Sequence, residues 1–211
     1  MGFYQLSKEE RQQRVAEINQ AILNDLLKQR TGTLLKYFSD EDTYIRKTAY
    51  LAVGKIYKTN EELQRTILHV LEALFQHANE KVRQTAINAA GEIGMTDFAP
   101  IEHLMEQGLF DEHHSVRNAV IGSMKKMGEK NPEPVLAFAR RFLHHEDKEI
   151  RREICHGIEL RGRTHPQDIL PLLKELEHDK AARVRNTLVH VLGQISYKKG
   201  CLAKVVAHLK T

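Results

Sequence analysis

A β-branched residue followed by arginine returns through this 211-residue chain at a nearly fixed interval. The pairs are Ile45–Arg46, Val82–Arg83, Val116–Arg117, Ile150–Arg151 and Val184–Arg185, with Arg-to-Arg steps of 37, 34, 34 and 34 residues. A period of that size marks a repeat architecture, in which each unit is too small to bury its own apolar face. Three residues after each arginine stands Ala49, Ala86, Val120, Ile154 or Leu188; four after it, Tyr50, Ile87, Ile121, Cys155 or Val189; seven after it, Val53, Ala90, Met124, Ile158 or Leu192. Together with the β-branched residue these offsets make one apolar stripe on a helix. Glycine follows at +8 (Gly54, Gly91, Gly193) or +11 (Gly94, Gly128, Gly162), where a helix is expected to thin or stop.

The other half of each unit is amphipathic too, as in the segments beginning at Glu61, Phe98 and Pro132. Pro132 and Pro166 sit where helices are expected to begin, a position at which the missing N–H costs nothing. Two antiparallel helices per unit, stacked on their neighbours, predict an all-α chain. The expected form is a right-handed α-solenoid of about five helical hairpins behind an N-terminal capping helix near residues 8–29, with a last helix from about Lys198. Residues 1–211 read as a single domain with short loops.

The unit NEKVRQTAINAAGEIG, residues 79–94, resembles a HEAT repeat of the bacterial lyase-associated kind. The resemblance implies that Arg46, Arg83, Arg117, Arg151 and Arg185 are scaffold, each guanidinium pairing with an acidic or polar group in a turn. Asp42 and Asp147, four residues before their arginines, are the expected partners.

Charge is distributed unevenly. Residues 1–139 hold 17 Lys and Arg against 19 Asp and Glu, whereas residues 140–211 hold 15 against 9 and seven of the 12 histidines. The positive field therefore belongs to the C-terminal third and favours an anionic partner there. No apolar run approaches the length of a membrane span, and the opening residues lack the apolar stretch of a secretory signal. Cys155 and Cys201 lie in apolar helical patterns and read as reduced, buried thiols of a cytoplasmic protein.

If the second helix of each unit lines the concave side, offsets +1, +5, +8 and +12 form the ligand surface. The fourth unit then presents Arg152, His156, Glu159 and Arg163; the fifth, Asn186, His190, Gly193 and Tyr197; the third contributes Lys125. Lys198 and Lys199 lie just beyond. The candidate nucleic-acid contacts are Lys125, Arg152, His156, Arg163, Asn186, His190, Lys198 and Lys199. Each has a plainer reading as a solvated face or an ordering polar ladder. His156 and His190 share an offset and should stand side by side. Glu159 is the one candidate acid–base residue, although its i,i+4 spacing to Arg163 is that of an ordinary helix pair. His113, His114, His144, His145 and Asp147 cluster near turns without a closed ligand set, so no metal and no cofactor is expected. Glycine loops for phosphate and nucleophile elbows are absent from the sequence.

Residues 116–132 and 150–166 share a further pattern, an apolar stripe leading to Asn-Pro or His-Pro at identical offsets, followed by RVRNTLVHVLGQ. Over roughly residues 110–195 this resembles the bacterial DNA alkylation repair family, HEAT-like glycosylases that release alkylated purines. The resemblance implies a basic concave face for the DNA backbone, with tryptophans and an acidic residue beside the lesion. This chain has no Trp, and the offset that the family fills with arginine near the lesion holds Lys125 and Glu159. DNA binding survives those departures better than base release does, because phosphate contacts need only cations on a suitable curve. The sequence thus predicts a monomeric HEAT-repeat module binding DNA by its backbone. A glycosylase, or a scaffold that binds an acidic protein, are the alternatives.

Overall fold

The computed structural model describes residues 2–210, and every regular element in them is helical. A 3-10 turn at Phe3–Gln5 leads into α1 (Lys8–Leu27), and α2 (Gly32–Phe38) and α3 (Thr43–Thr59) follow. Next come α4 (Gln64–Phe75) with α5 (Glu80–Gly94), and α6 (Glu102–Leu109) with α7 (His114–Lys130). The third pair is α8 (Pro132–Phe142) with α9 (Lys148–Gly157) and its short continuation α10 (Glu159–Gly162); α11 (Pro166–Lys174) and α12 (Ala182–Ser196) come after, and then α13 (Leu202–His208).

Local chemistry explains where these helices start and stop. Ser7 opens α1 with a capping box: its hydroxyl accepts from Glu10 N at 3.1 Å while Glu10 Oε2 accepts from Ser7 N at 2.7 Å. Pro132 and Pro166 each occupy the first helical position, as the sequence predicts. α1 stops at Leu27, short of the expected end, because Gln29 adopts a left-handed backbone with φ 53. The last helix begins at Leu202 rather than near Lys198, since Gly200 at φ 80 turns the chain first. The glycines at +8 and +11 thin helices more often than they end them: Gly54, Gly91, Gly128 and Gly193 are interior, while Gly94 and Gly162 end α5 and α10. In the fourth repeat the helix is interrupted for one residue at Ile158, immediately after Gly157.

The chain divides into two compact units, one running through Ile93 with His103–Ala119, the other comprising Gly94–Glu102 and the chain from Val120 onward. In the first, Ile18, Ile22 and Leu26 form the wholly buried face of α1 against α2 and α3. Gly54 is required there by close approach, for a Cβ on it would meet Glu92 Cβ at 2.5 Å. In the second unit, α9 and α10 pack on α12, α8 on α9, and α13 on α11 and α12. The rings of Phe98 and Phe138 meet edge to face with centroids 5.6 Å apart.

The recurring arginines bind backward into their own turns. In all five repeats Nη1 donates to the carbonyls six and five residues upstream: Asp40 and Glu41, His77 and Ala78, Asp111 and Glu112, His145 and Glu146, Asp179 and Lys180. The expected partners Asp42 and Asp147 do a different job. Each caps a helix, accepting at 2.8 Å from Tyr44 N and Glu149 N respectively. Carboxylate partners come instead from the following turn: Asp111 for Arg83 and Asp179 for Arg151.

Candidate functional site

The second unit gathers half of the eight sequence-selected contacts around one buried carboxylate. Glu159 opens α10 and is only 1% exposed. Its Oε1 accepts from Arg163 Nη2, and its Oε2 accepts from Lys125 Nζ at 3.1 Å. His156 Nε2 lies 3.0 Å and His190 Nε2 3.9 Å from the same Oε2. Lys125 also donates to His156 Nε2 at 2.9 Å when that ring is neutral, and Arg163 Nη2 donates to Gln194 Oε1 at 2.7 Å. The His156 and His190 rings meet edge to face, centroids 5.7 Å apart.

Electrostatics follow from this packing. Burial alone pushes the Glu159 carboxyl upward, but hydrogen bonds and charge from Lys125 and Arg163 outweigh it and hold the group below its ordinary value. His156 is lowered by burial first and then by the neighbouring Lys125 ammonium, so the ring favours its neutral form. Burial pushes the thiol of Cys155 up to about 12, which makes it a poor nucleophile. A general base needs a carboxylate with a lone pair aimed at substrate. Both Glu159 oxygens are directed into protein cations, and that is the geometry of a positioning anchor.

Among the described residues, His156, Glu159 and His190 form one group whose ligand atoms all lie within 4.8 Å of one another. The Lys125 ammonium stands within hydrogen-bonding distance of two of these atoms, so the space between them already has a cation of the chain's own.

Arg152 is tied elsewhere on the same face. Its Nε donates to Glu149 Oε2 at 2.9 Å and its Nη2 to Glu153 Oε1 at 3.4 Å, and Arg183 Nη1 pairs with Glu149 Oε1 at 3.2 Å. Arg152, Arg183, Asn186, Thr187 and the two histidines line an open hollow of about 280 Å³. Lys198 and Lys199 are exposed on the turn between α12 and α13. Of the eight candidate contacts, Lys125, His156, Arg163 and His190 surround Glu159, and Arg152 and Asn186 border the adjoining hollow. Sequence reasoning passed over Glu149, Glu153, Arg183 and Gln194. A signal for the first and third was present, since Glu149 precedes Arg152 by three residues and Arg183 by one 34-residue repeat length.

Helical hairpins returning every 34 to 37 residues, each with an arginine folded back onto its own turn, settle the architecture. The fold is a HEAT-like helical repeat. A family model for Cnd1, non-SMC mitotic condensation complex subunit 1, matches residues 11–107. No curated protein matches the chain. Among solved structures, this HEAT-like chain is similar to one from crescerin, described as using a TOG domain array to regulate microtubules in the primary cilium. The TM-score is 0.52 at 17% identity, over 90% of this chain and 88% of that one. A second, from work on TOG–tubulin binding specificity in microtubule dynamics and mitotic spindle formation, gives 0.51 at 13% identity over 92% and 87%. The archaeal HEAT-like repeats protein from Thermococcus onnurineus NA1 gives 0.45 at 18% over 97% and 88%. At these identities the likeness is one of fold. None of these likenesses speaks for DNA repair. No helix among the described residues is long and apolar enough to cross a membrane.

Proposed function

We propose that this protein is a HEAT-repeat interaction scaffold that binds another protein across the polar face of α9, α10 and α12. One observation carries the reading: Lys125, Arg152 and Arg163, the cations that would make a phosphate rail, are each paired with a carboxylate of the same face. A rail works by releasing counterions from unpaired cations. Alternating, mutually fixed charges instead offer a directional pattern of donors and acceptors, which suits a protein surface. Tubulin binding by a TOG domain and membership of a condensation complex are the company this fold keeps among its likenesses.

DNA binding is the second reading, favoured by the exposed Lys198 and Lys199 on the turn after α12. The glycosylase reading is weaker, because Glu159 is engaged on both oxygens.

Crosslinking capture from cells of the source organism, with and without nuclease, tests the scaffold. The expected result is a protein partner recovered regardless of nuclease and lost with Arg183→Glu/His190→Ala. Recovery that disappears on nuclease treatment would overturn the reading in favour of nucleic acid.

A further inference from the structure

In repeats two to four, the position four residues after the marker arginine is covered: Ile87, Ile121 and Cys155 are 0%, 6% and 0% exposed. The same position in the fifth repeat is Val189, and it is 69% exposed. Leu192, seven after the arginine, is half-buried where its counterparts are buried. On α12 the position four after the arginine is therefore open.

α13 carries an exposed apolar stripe as well. Val205 and Cys201 turn inward and are buried, while Leu202, Val206 and Leu209 are 58%, 42% and 64% exposed. Spaced i, i+4 and i+7, they form one outward stripe. Leu209 also lines a groove of about 330 Å³ with Leu173, Leu188 and Leu192, whose rim carries Lys174 and Glu177. An outward stripe of three apolar side chains on one short helix, with an apolar groove at its end, exceeds what scattered surface residues require.

Charge identifies the occupant. Around α13 the chain has Lys198, Lys199, Lys204 and Lys210, and from residue 180 onward it has no aspartate or glutamate. Two copies meeting through this end would bring two like-charged fields together, which costs several kcal/mol against the wrong partner. An amphipathic helix with acidic flanks meets both demands, laying its apolar face on α12 and α13 and its carboxylates among the lysines.

We infer that the α12–α13 end of the second unit is a docking site for an acidic amphipathic helix of a partner protein. This deepens the scaffold reading and rests on it.

The probe is a fluorescent synthetic helix of about 18 residues, five turns, with leucines on one face and glutamates on the other. A control carries lysine for glutamate. Anisotropy titration of the full chain should show saturable binding of the glutamate peptide alone. Leu202→Asp/Val206→Asp should weaken it by about tenfold or more. Both substitutions are on exposed side chains, and an unchanged thermal melt will confirm the fold. Lys198→Glu/Lys199→Glu/Lys204→Glu should transfer the preference to the lysine peptide, an outcome that unfolding cannot produce.

Equal binding by wild type and the aspartate variant, or no binding of the glutamate peptide, overturns the inference. So does concentration-dependent dimerisation that the aspartate variant abolishes, or tighter binding to phosphatidylserine vesicles or duplex DNA than to the peptide. The scaffold reading falls only with the nuclease-resistant capture, whose variants lie on a different face.

Discussion

Asp111 lies 28 residues beyond Arg83 and takes its Nε and Nη2 on separate oxygens at 2.8 and 3.0 Å. Asp179 stands to Arg151 in the same way, at 2.5 and 2.9 Å. Each aspartate also accepts, at 2.8 Å, the backbone N–H two residues on, from His113 or Ala181. One carboxylate thus joins the turn of its own repeat to the arginine of the repeat before, and two-point pairing fixes the angle as well as the distance.

Removing the arginine should therefore be costly. Arg83→Ala leaves the Asp111 side chain, 6% exposed, without its cation. We expect a loss of about 3 kcal/mol, the cost of breaking a buried pair. Arg46→Ala, whose Nη1 bonds are to carbonyls of its own turn, should lose about 1 kcal/mol. Urea unfolding at constant m-value measures both, and equal losses would show that the link between repeats contributes nothing.

The same pairs make stability depend on acid. At Asp179 the Arg151 hydrogen bonds lead in holding the carboxyl below its ordinary value of 3.8. At Asp111 burial is the largest influence and acts upward, but Arg83 and the His113 N–H outweigh it. A carboxyl whose folded pKa is depressed contributes stability that is whole above the unfolded value and fades as pH falls through the folded one. The melting temperature should drop below about pH 4. Asp111→Asn/Asp179→Asn should melt lower than wild type at neutral pH, and that gap should close on acidification. A gap constant with pH would remove these pairs as the cause.

Much of this was legible in the sequence, for a physical reason. A stripe at −1, +3, +4 and +7 can be buried only on a helix, so helix pairs and a repeating core followed directly. The site was only half legible. Lys125 and Glu159 are 34 residues apart, as are His156 and His190, so equal offsets in stacked repeats foretell neighbours. The Arg163–Glu159 pair was legible as well, from its i,i+4 spacing, whereas the offsets did not foretell that Glu159 also neutralises Lys125, or that Glu149 and Glu153 neutralise Arg152. Helix ends at Gln29 and Gly200 escaped because a left-handed residue is decided by local packing, and glutamine carries no signal for it.

Two glycines with the same sequence reading should respond oppositely to alanine. A Cβ on Gly162 would lie 2.5 Å from Ile195 Cδ1 and 2.9 Å from its Cγ1, so the isoleucine must shift. Gly162→Ala should destabilise by about 1–3 kcal/mol. Gly193 sits inside α12 with nothing within 4 Å of such a Cβ. Gly193→Ala should stabilise by about 0.5–1 kcal/mol through backbone entropy alone. Thermal melts that move in the same direction would mean that close approach at Gly162 does not decide its residue.

The claim that carboxylates silence the cationic face can be tested by removing one. Glu149 Oε2 engages Arg152 Nε and its Oε1 engages Arg183 Nη1, and the Glu149 side chain is 29% exposed, so Glu149→Gln should leave the fold intact. The change takes the carboxylate from Arg183 and one of two carboxylates from Arg152, beside Asn186 and His190, and raises the net charge by one. Duplex DNA affinity at low salt should rise relative to wild type, and the slope of log K against log salt should steepen by about 0.9 for each phosphate newly engaged. A wild type that already binds tightly, with a slope of several phosphates that Glu149→Gln leaves unchanged, would show the cations to be free in spite of their partners. That outcome would restore the nucleic-acid reading over the scaffold.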